Sequence, residues 1–176
     1  MLIILFVGSF ALFAEQLNIS TSVKAERIIV NVSLDLEDYS NALKTIRSGL
    51  KSELFFEFRL YKKQHGIISL LGDRLVREEK VLYTGYYNMY DKYYILKRNN
   101  GSEVVFKNSD DFLRNFFSLK GYNLEYSFLS TADEYYLLCR VKYIPVKLVS
   151  PLNIVNFFTN SENITTKWEK ITVETK

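Results

Sequence analysis

The sequence predicts a mostly β, α+β domain, an antiparallel β-sandwich or curved sheet that carries two short helices. Apolar residues recur at every second position over several stretches, which is the signature of strands with one face buried. The chain of 176 residues contains 13 Tyr and 13 Phe, and strands favour both. Turn residues punctuate the alternating stretches at hairpin spacing. Asn99-Asn100-Gly101 is the clearest case, because Asn and Gly tolerate the positive φ of a tight turn.

The N-terminus comes first. Leu2 to Phe13 is apolar except for Gly8 and Ser9, and the chain turns polar at Glu15-Gln16. A helix of that length spans roughly 20 Å, short of the ~30 Å hydrocarbon core of a bilayer. Residues 1–14 are therefore expected to be a signal peptide, with Ala14 at the cut, and residues 15–176 a single β-rich domain exported to the periplasm or cell envelope.

Leu17 to Lys24 and Arg27 to Leu36 both alternate, and Ala25-Glu26 between them is short enough for a hairpin. Asp38 reads as a helix N-cap, with Tyr39, Leu43, Ile46 and Leu50 at helical spacing and Gly49 as the stop. Ser52 to Lys62 returns to a period of two. Leu54, Phe56, Phe58 and Leu60 face inward, and Phe55, Glu57, Arg59 and Tyr61 face out. Ile67 to Leu71 is a short apolar piece between the turns Gln64-His65-Gly66 and Gly72-Asp73.

Leu75 to Tyr90 reads as a long strand with a bulge near Gly85. Tyr93 to Arg98 and Glu103 to Phe106 flank the Asn-Gly turn. Ser109 is expected to cap a second helix, with Asp110 and Asp111 in its first turn, where carboxylates suit the helix dipole. Phe112, Leu113, Phe116 and Phe117 form its apolar face, and Gly121 ends the region. Leu124 to Phe128 and Tyr135 to Val149 read as a further antiparallel pair. Pro145 and Pro151 mark an edge or break, and a last strand holds Trp168, Ile171 and Val173.

The chemistry available is thin. The net charge is +3 and the cations are dispersed, which argues against nucleic acid as a partner. The single cysteine, Cys139, cannot form an internal disulfide, and its inward-facing position makes it a small core hydrophobe. His65, the single histidine, lies in a polar turn, so any His-dependent catalysis would have to use it. Glu78 and Glu79 alternate to opposite faces, and Asp110-Asp111 is accounted for by helix capping. The clustered carboxylates thus read as charged surface. No catalytic residue, metal ligand or cofactor is assigned, and the chain is not expected to be an enzyme.

Six tyrosines stand out: Tyr83, Tyr86, Tyr87, Tyr90, Tyr93 and Tyr94. Alternation puts Tyr83 and Tyr87 on one face and Tyr86 and Tyr90 on the other. One core cannot hold both sets without satisfying many hydroxyls, so one set is expected to line a binding surface. Cross-strand ring pairing that merely stabilises the sheet is the plainer alternative.

The order of these features resembles a known family. Ser48-Gly49-Leu50 leads into Leu54-Phe55-Phe56-Glu57-Phe58-Arg59-Leu60. Gly72-Asp73 follows, then Tyr93-Tyr94-Ile95-Leu96, the Phe106 to Phe117 helix, Tyr136 to Lys142, Pro151-Leu152 and Trp168. In this the chain is similar to a family of exported bacterial proteins catalogued as domain of unknown function 4390. The resemblance implies a small secreted or membrane-tethered β protein, and it carries over no catalytic residues.

The leading expectation is a non-catalytic binding or accessory module of the cell envelope, associated with signalling or envelope assembly. Its partner would be another envelope protein, and its membrane contact would run only through an uncleaved N-terminal segment. The alternatives are a carrier of an apolar or aromatic small ligand between helices and sheet, and a carboxylate-based hydrolase.

Overall fold

The computed structural model describes residues 16–24, 27–125, 133–145 and 163–173. The expected signal peptide, 1–14, lies outside them. The elements run β1 (Gln16–Lys24), β2 (Arg27–Asp35), α1 (Ser40–Arg47), β3 (Ser52–Lys62), a 3-10 turn (Gly66–Leu71), β4 (Arg74–Asn88), β5 (Tyr93–Arg98), β6 (Glu103–Phe106), α2 (Ser109–Phe116), β7 (Ser118–Glu125), β8 (Tyr135–Ile144), β9 (Ile164–Thr165) and β10 (Glu169–Val173). No helix among the described residues is long and apolar enough to cross a membrane.

The strands form two antiparallel sheets. The smaller has the order β1-β2-β7; the larger has the order β10-β8-β3-β4-β5-β6, with β9 paired to the end of β8. The mostly β, sandwich-like architecture with its two α-helices is the one the periodicities predict. Its core follows from the alternation. Ile28, Val30, Val32 and Leu34 of β2 are buried against Leu54, Phe56, Phe58 and Leu60 of β3 and against Leu137, Cys139 and Val141 of β8. Burying four such side chains on one strand contributes on the order of 6–12 kcal/mol of transfer free energy, which fixes the register, because a slip by one residue would turn all of them outward.

The helices pack on the strands, α1 against β4 and α2 against β5, β6 and β7. α2 buries Phe112, Leu113 and Phe116, and Phe117 just after it. Phe112 and Phe116 stack at 5.4 Å and lie directly over Gly85 of β4. A Cβ on that glycine would stand 2.8 Å from Phe112 Cζ and 2.9 Å from Phe116 Cε2. Gly85 is therefore needed for the close approach of two rings. The bulge expected there is absent: β4 pairs continuously with β3 from Ser52↔Gly85 to Leu60↔Arg77, and the register shifts only between Leu60 and Tyr61.

Other boundaries move for local reasons. Asn108, not Ser109, caps α2, its side chain accepting the Asp110 N–H at 2.7 Å. α1 starts at Ser40, and the Asp38 carboxylate before it takes both the Ser40 N–H and its hydroxyl. Gly121 does not end a region. It sits inside β7, where the ladder with β2 is irregular, and its N–H donates to Asn31 Oδ1 at 2.8 Å.

The expected pairing of the segment after α2 with the Tyr135 strand also fails. β7 pairs with β2 in the small sheet, whereas β8 pairs with β3 and β10 in the large one. β8 ends at Ile144, beside Pro145, whose carbonyl accepts the Ser52 hydroxyl.

Candidate functional site

The β4–β5 hairpin divides the six tyrosines. Tyr83, Tyr87 and Tyr94 turn inward. Tyr83 meets Phe56 edge-on at 5.3 Å, Tyr87 lies 4.9 Å from Tyr94, and Tyr94 stacks on Phe112 at 5.1 Å. The Tyr94 hydroxyl accepts a hydrogen bond from Arg47 Nε of α1 at 2.7 Å, so its polar end is satisfied where its ring is buried. Tyr86 and Tyr93 stand on the opposite face, Tyr86 with the Lys51 ammonium 5.5 Å from its ring centre and Tyr93 donating to Asp91. Tyr90 occupies the turn and is 98% exposed. The six side chains thus belong to a core, a sheet face and a turn, and do not converge on one spot.

A denser surface lies on the outer face of the large sheet, where β3, β4, β8 and β10 run side by side. Register builds it. Glu57 faces Lys80 on one side and Arg140 on the other, and Tyr61 faces Tyr136. Glu57 Oε2 receives Arg140 Nε at 2.5 Å, and Glu57 Oε1 lies 3.1 Å from Lys80 Nζ. Arg59 pairs with Glu78 at 2.8 Å. The Arg59 and Arg140 guanidinium groups both sit over the Trp168 ring, at 4.7 and 4.4 Å from its centre. Tyr61 and Tyr136 stack at 5.2 Å, with the Lys170 ammonium 3.8 Å from the Tyr136 ring centre. Lys80 covers Phe55 in the same manner at 4.1 Å.

The electrostatics of this face follow from those contacts. Partial burial pushes the Glu57 carboxyl up, but hydrogen bonds from Arg140 and Lys80 outweigh it and hold the group below the usual carboxylate range. Tyr136 is pushed up to about 12, first by burial and then by the Asp73 carboxylate to which its hydroxyl donates at 2.9 Å.

The sequence placed Phe55, Glu57, Arg59 and Tyr61 outward but could not join them to Arg140 or Trp168. Glu57 and Arg140 are 83 residues apart, and only the β3–β8 pairing brings them together.

A groove of about 520 Å³ opens where the end of β2 meets α2 and the start of β7. Leu34, Leu113 and Phe117 give it an apolar floor, and Asp35, Asp110 and Arg114 give it charge. Cys139 is fully buried, and burial pushes its thiol up to about 12, so it remains an unreactive thiol at neutral pH. His65 is exposed before the Gly66–Leu71 turn. Among the described residues no three His, Cys, Asp or Glu side chains gather as a metal site requires.

Comparison with protein-family models, curated proteins and solved structures finds no match to this chain.

Proposed function

We propose that the chain acts as a non-catalytic binding module of the cell envelope, and that the outer face of its large sheet is the surface that binds. One observation carries this reading. The sheet face presents the half-buried Arg59, Arg140, Trp168 and Tyr61, held by ion pairs and ring contacts, with the buried Tyr136 stacked on Tyr61. Trp, Tyr and Arg dominate protein–protein hot spots, and side chains already held in place lose little rotamer freedom when a partner arrives. The exported, DUF-4390-like character read from the sequence is part of the same proposal, and makes another envelope protein the natural partner.

A photo-cross-linking residue placed at Tyr61 or Trp168 in living cells tests it. The expected result is one reproducible protein adduct that the same probe at Asn123, on the outer side of the small sheet, does not give. No reproducible adduct from the outer face would remove the reading.

The groove beside α2 favours a second reading, a small-ligand carrier. Its volume lies within the usual range for small-molecule sites, about 300–1,000 Å³. Asp35 and Asp110 are among the residues that line it. The expected place for a carried ligand, between α2 and the sheet, is filled by the rings of Phe112, Phe116 and Tyr94, so a ligand there would have to displace them. Native mass spectrometry of gently purified protein distinguishes the readings by a retained small molecule.

A further inference from the structure

The large sheet ends, at one edge of the sandwich, on the row Arg74, Lys62, Tyr135 and Val173. Residues 63–73 continue past that row. Within them the Gly66–Leu71 turn holds Ile67, Ile68, Leu70 and Leu71 at 87%, 58%, 86% and 87% exposure. Single exposed aliphatic residues are ordinary, but four within five positions at a projecting tip form a contiguous patch of the kind that marks an interaction site. A turn has no structural need of them, since Gly, Asn, Asp and Ser are the residues that turns favour.

The polar groups of the tip are turned on one another. Ser69 Oγ donates to the Gly66 carbonyl at 2.6 Å, and the Gly72 N–H donates to the Ser69 carbonyl at 3.1 Å. Asp73 accepts the Gln64 N–H at the base of the loop. Backbone satisfied in this way leaves water at low cost, a condition that an apolar medium imposes.

Charge sits behind the aliphatic residues. Lys62 and Lys63 lie at the root of the loop, held at 2.6 Å by Asp133 and Glu134, and Asp73 stands with them. Arg74 is exposed and has no carboxylate against it among the described residues. Long basic side chains spread their stems over apolar surface and leave their charge at headgroup level. The shape also argues for a fluid occupant. A two-fold contact needs a self-complementary patch, and four exposed aliphatic side chains on one turn are few beside the ~1,200–2,000 Å² that a stable protein interface buries.

We propose that the Gly66–Leu71 turn is a membrane-contacting tip. It inserts Ile67, Leu70 and Leu71 into the surface of an anionic lipid bilayer, and Arg74, the cation at its root that no carboxylate among the described residues neutralises, meets the phosphate headgroups. This contact is independent of the outer sheet face, which it leaves open, and it lies elsewhere than the N-terminal segment through which the sequence suggested membrane contact.

The full chain is mixed with vesicles of phosphatidylcholine containing phosphatidylglycerol, and with phosphatidylcholine vesicles alone, and sedimented. Binding should favour the anionic vesicles and weaken as salt is raised. The triple variant Ile67→Ser, Leu70→Ser, Leu71→Ser should bind about tenfold more weakly or less, with an unchanged melting temperature. Because the N-terminal segment is the same in both proteins, the difference reports the tip alone. In a second variant, Leu70→Trp, emission should shift to the blue on vesicle addition beyond any shift of the parent, whose single tryptophan is Trp168. Equal binding by parent and triple variant overturns the proposal. So does a tip-dependent dimer in solution with no vesicle binding, which would make a second copy the occupant.

Discussion

Two short apolar segments join strands in this molecule. In α2, Phe112, Leu113, Phe116 and Phe117 are buried; in the Gly66–Leu71 turn, Ile67, Ile68, Leu70 and Leu71 face solvent. Each carries four large apolar side chains. What differs is the surface opposite. α2 lies over β4 at the one position where the missing side chain of Gly85 admits two rings, with Tyr94 and Phe106 completing the contact. The turn stands past the last paired row of the sheet and has no such counterpart among the described residues. Apolar composition makes a segment seek cover, and the neighbouring backbone decides whether cover exists.

That contrast can be tested by substitution. Phe116→Ala should cost about 3–5 kcal/mol in urea unfolding, since it deletes a fully buried ring that touches Phe112, Phe117 and Tyr143. Gly85→Ala should cost about 1–3 kcal/mol by forcing Phe112 and Phe116 off the sheet, and adding Phe116→Leu should recover part of it. A neutral Gly85→Ala would show that α2 does not depend on the glycine.

Away from both segments, Glu57→Gln should cost about 1 kcal/mol at neutral pH, because its partners Arg140 and Lys80 are partly solvated. The folded carboxyl titrates below its ordinary value of 4.5, so its contribution is present above that pH and disappears as pH falls through the lower, folded value. The gap in melting temperature between parent and Glu57→Gln should accordingly close below pH 4.5. The smallest effect belongs to the tip. Leu70→Ser should change stability by no more than about 0.5 kcal/mol, and a larger loss would mean that the turn is packed in solution.

Local physics was legible in the sequence. The alternation in β2 and β3, the inward phase of Cys139 and the Asn99–Gly101 hairpin all depend on residues close in the chain, and each reappears in the fold. So does the sharing of one face by Tyr83 and Tyr87. What required distant partners was not legible. β7 and β8 are adjacent in sequence and both alternate, yet they serve different sheets, because β7 finds the free edge of β2 while β8 finds that of β3. Gly85 carried the pattern of a bulge, and its actual role depends on rings more than twenty-five residues away. The outer-face network could not be assembled from residues that only register across strands brings side by side.

β3 meets its two neighbours on very different terms. β4 returns across a short loop, so Lys62 pairs with Arg74, whereas Glu57 must wait for Arg140, 83 residues later. The entropy of closing a loop rises with its length, and folds dominated by such distant pairings form over milliseconds to seconds. During synthesis the β3–β4 hairpin should therefore exist before β8 emerges, with the Glu53 to Lys62 edge of β3 and its row of Leu and Phe side chains uncovered. An open edge of that kind pairs readily with another chain. The hazard to this protein lies in the interval between making its third strand and making its eighth, when a holding chaperone would protect it most.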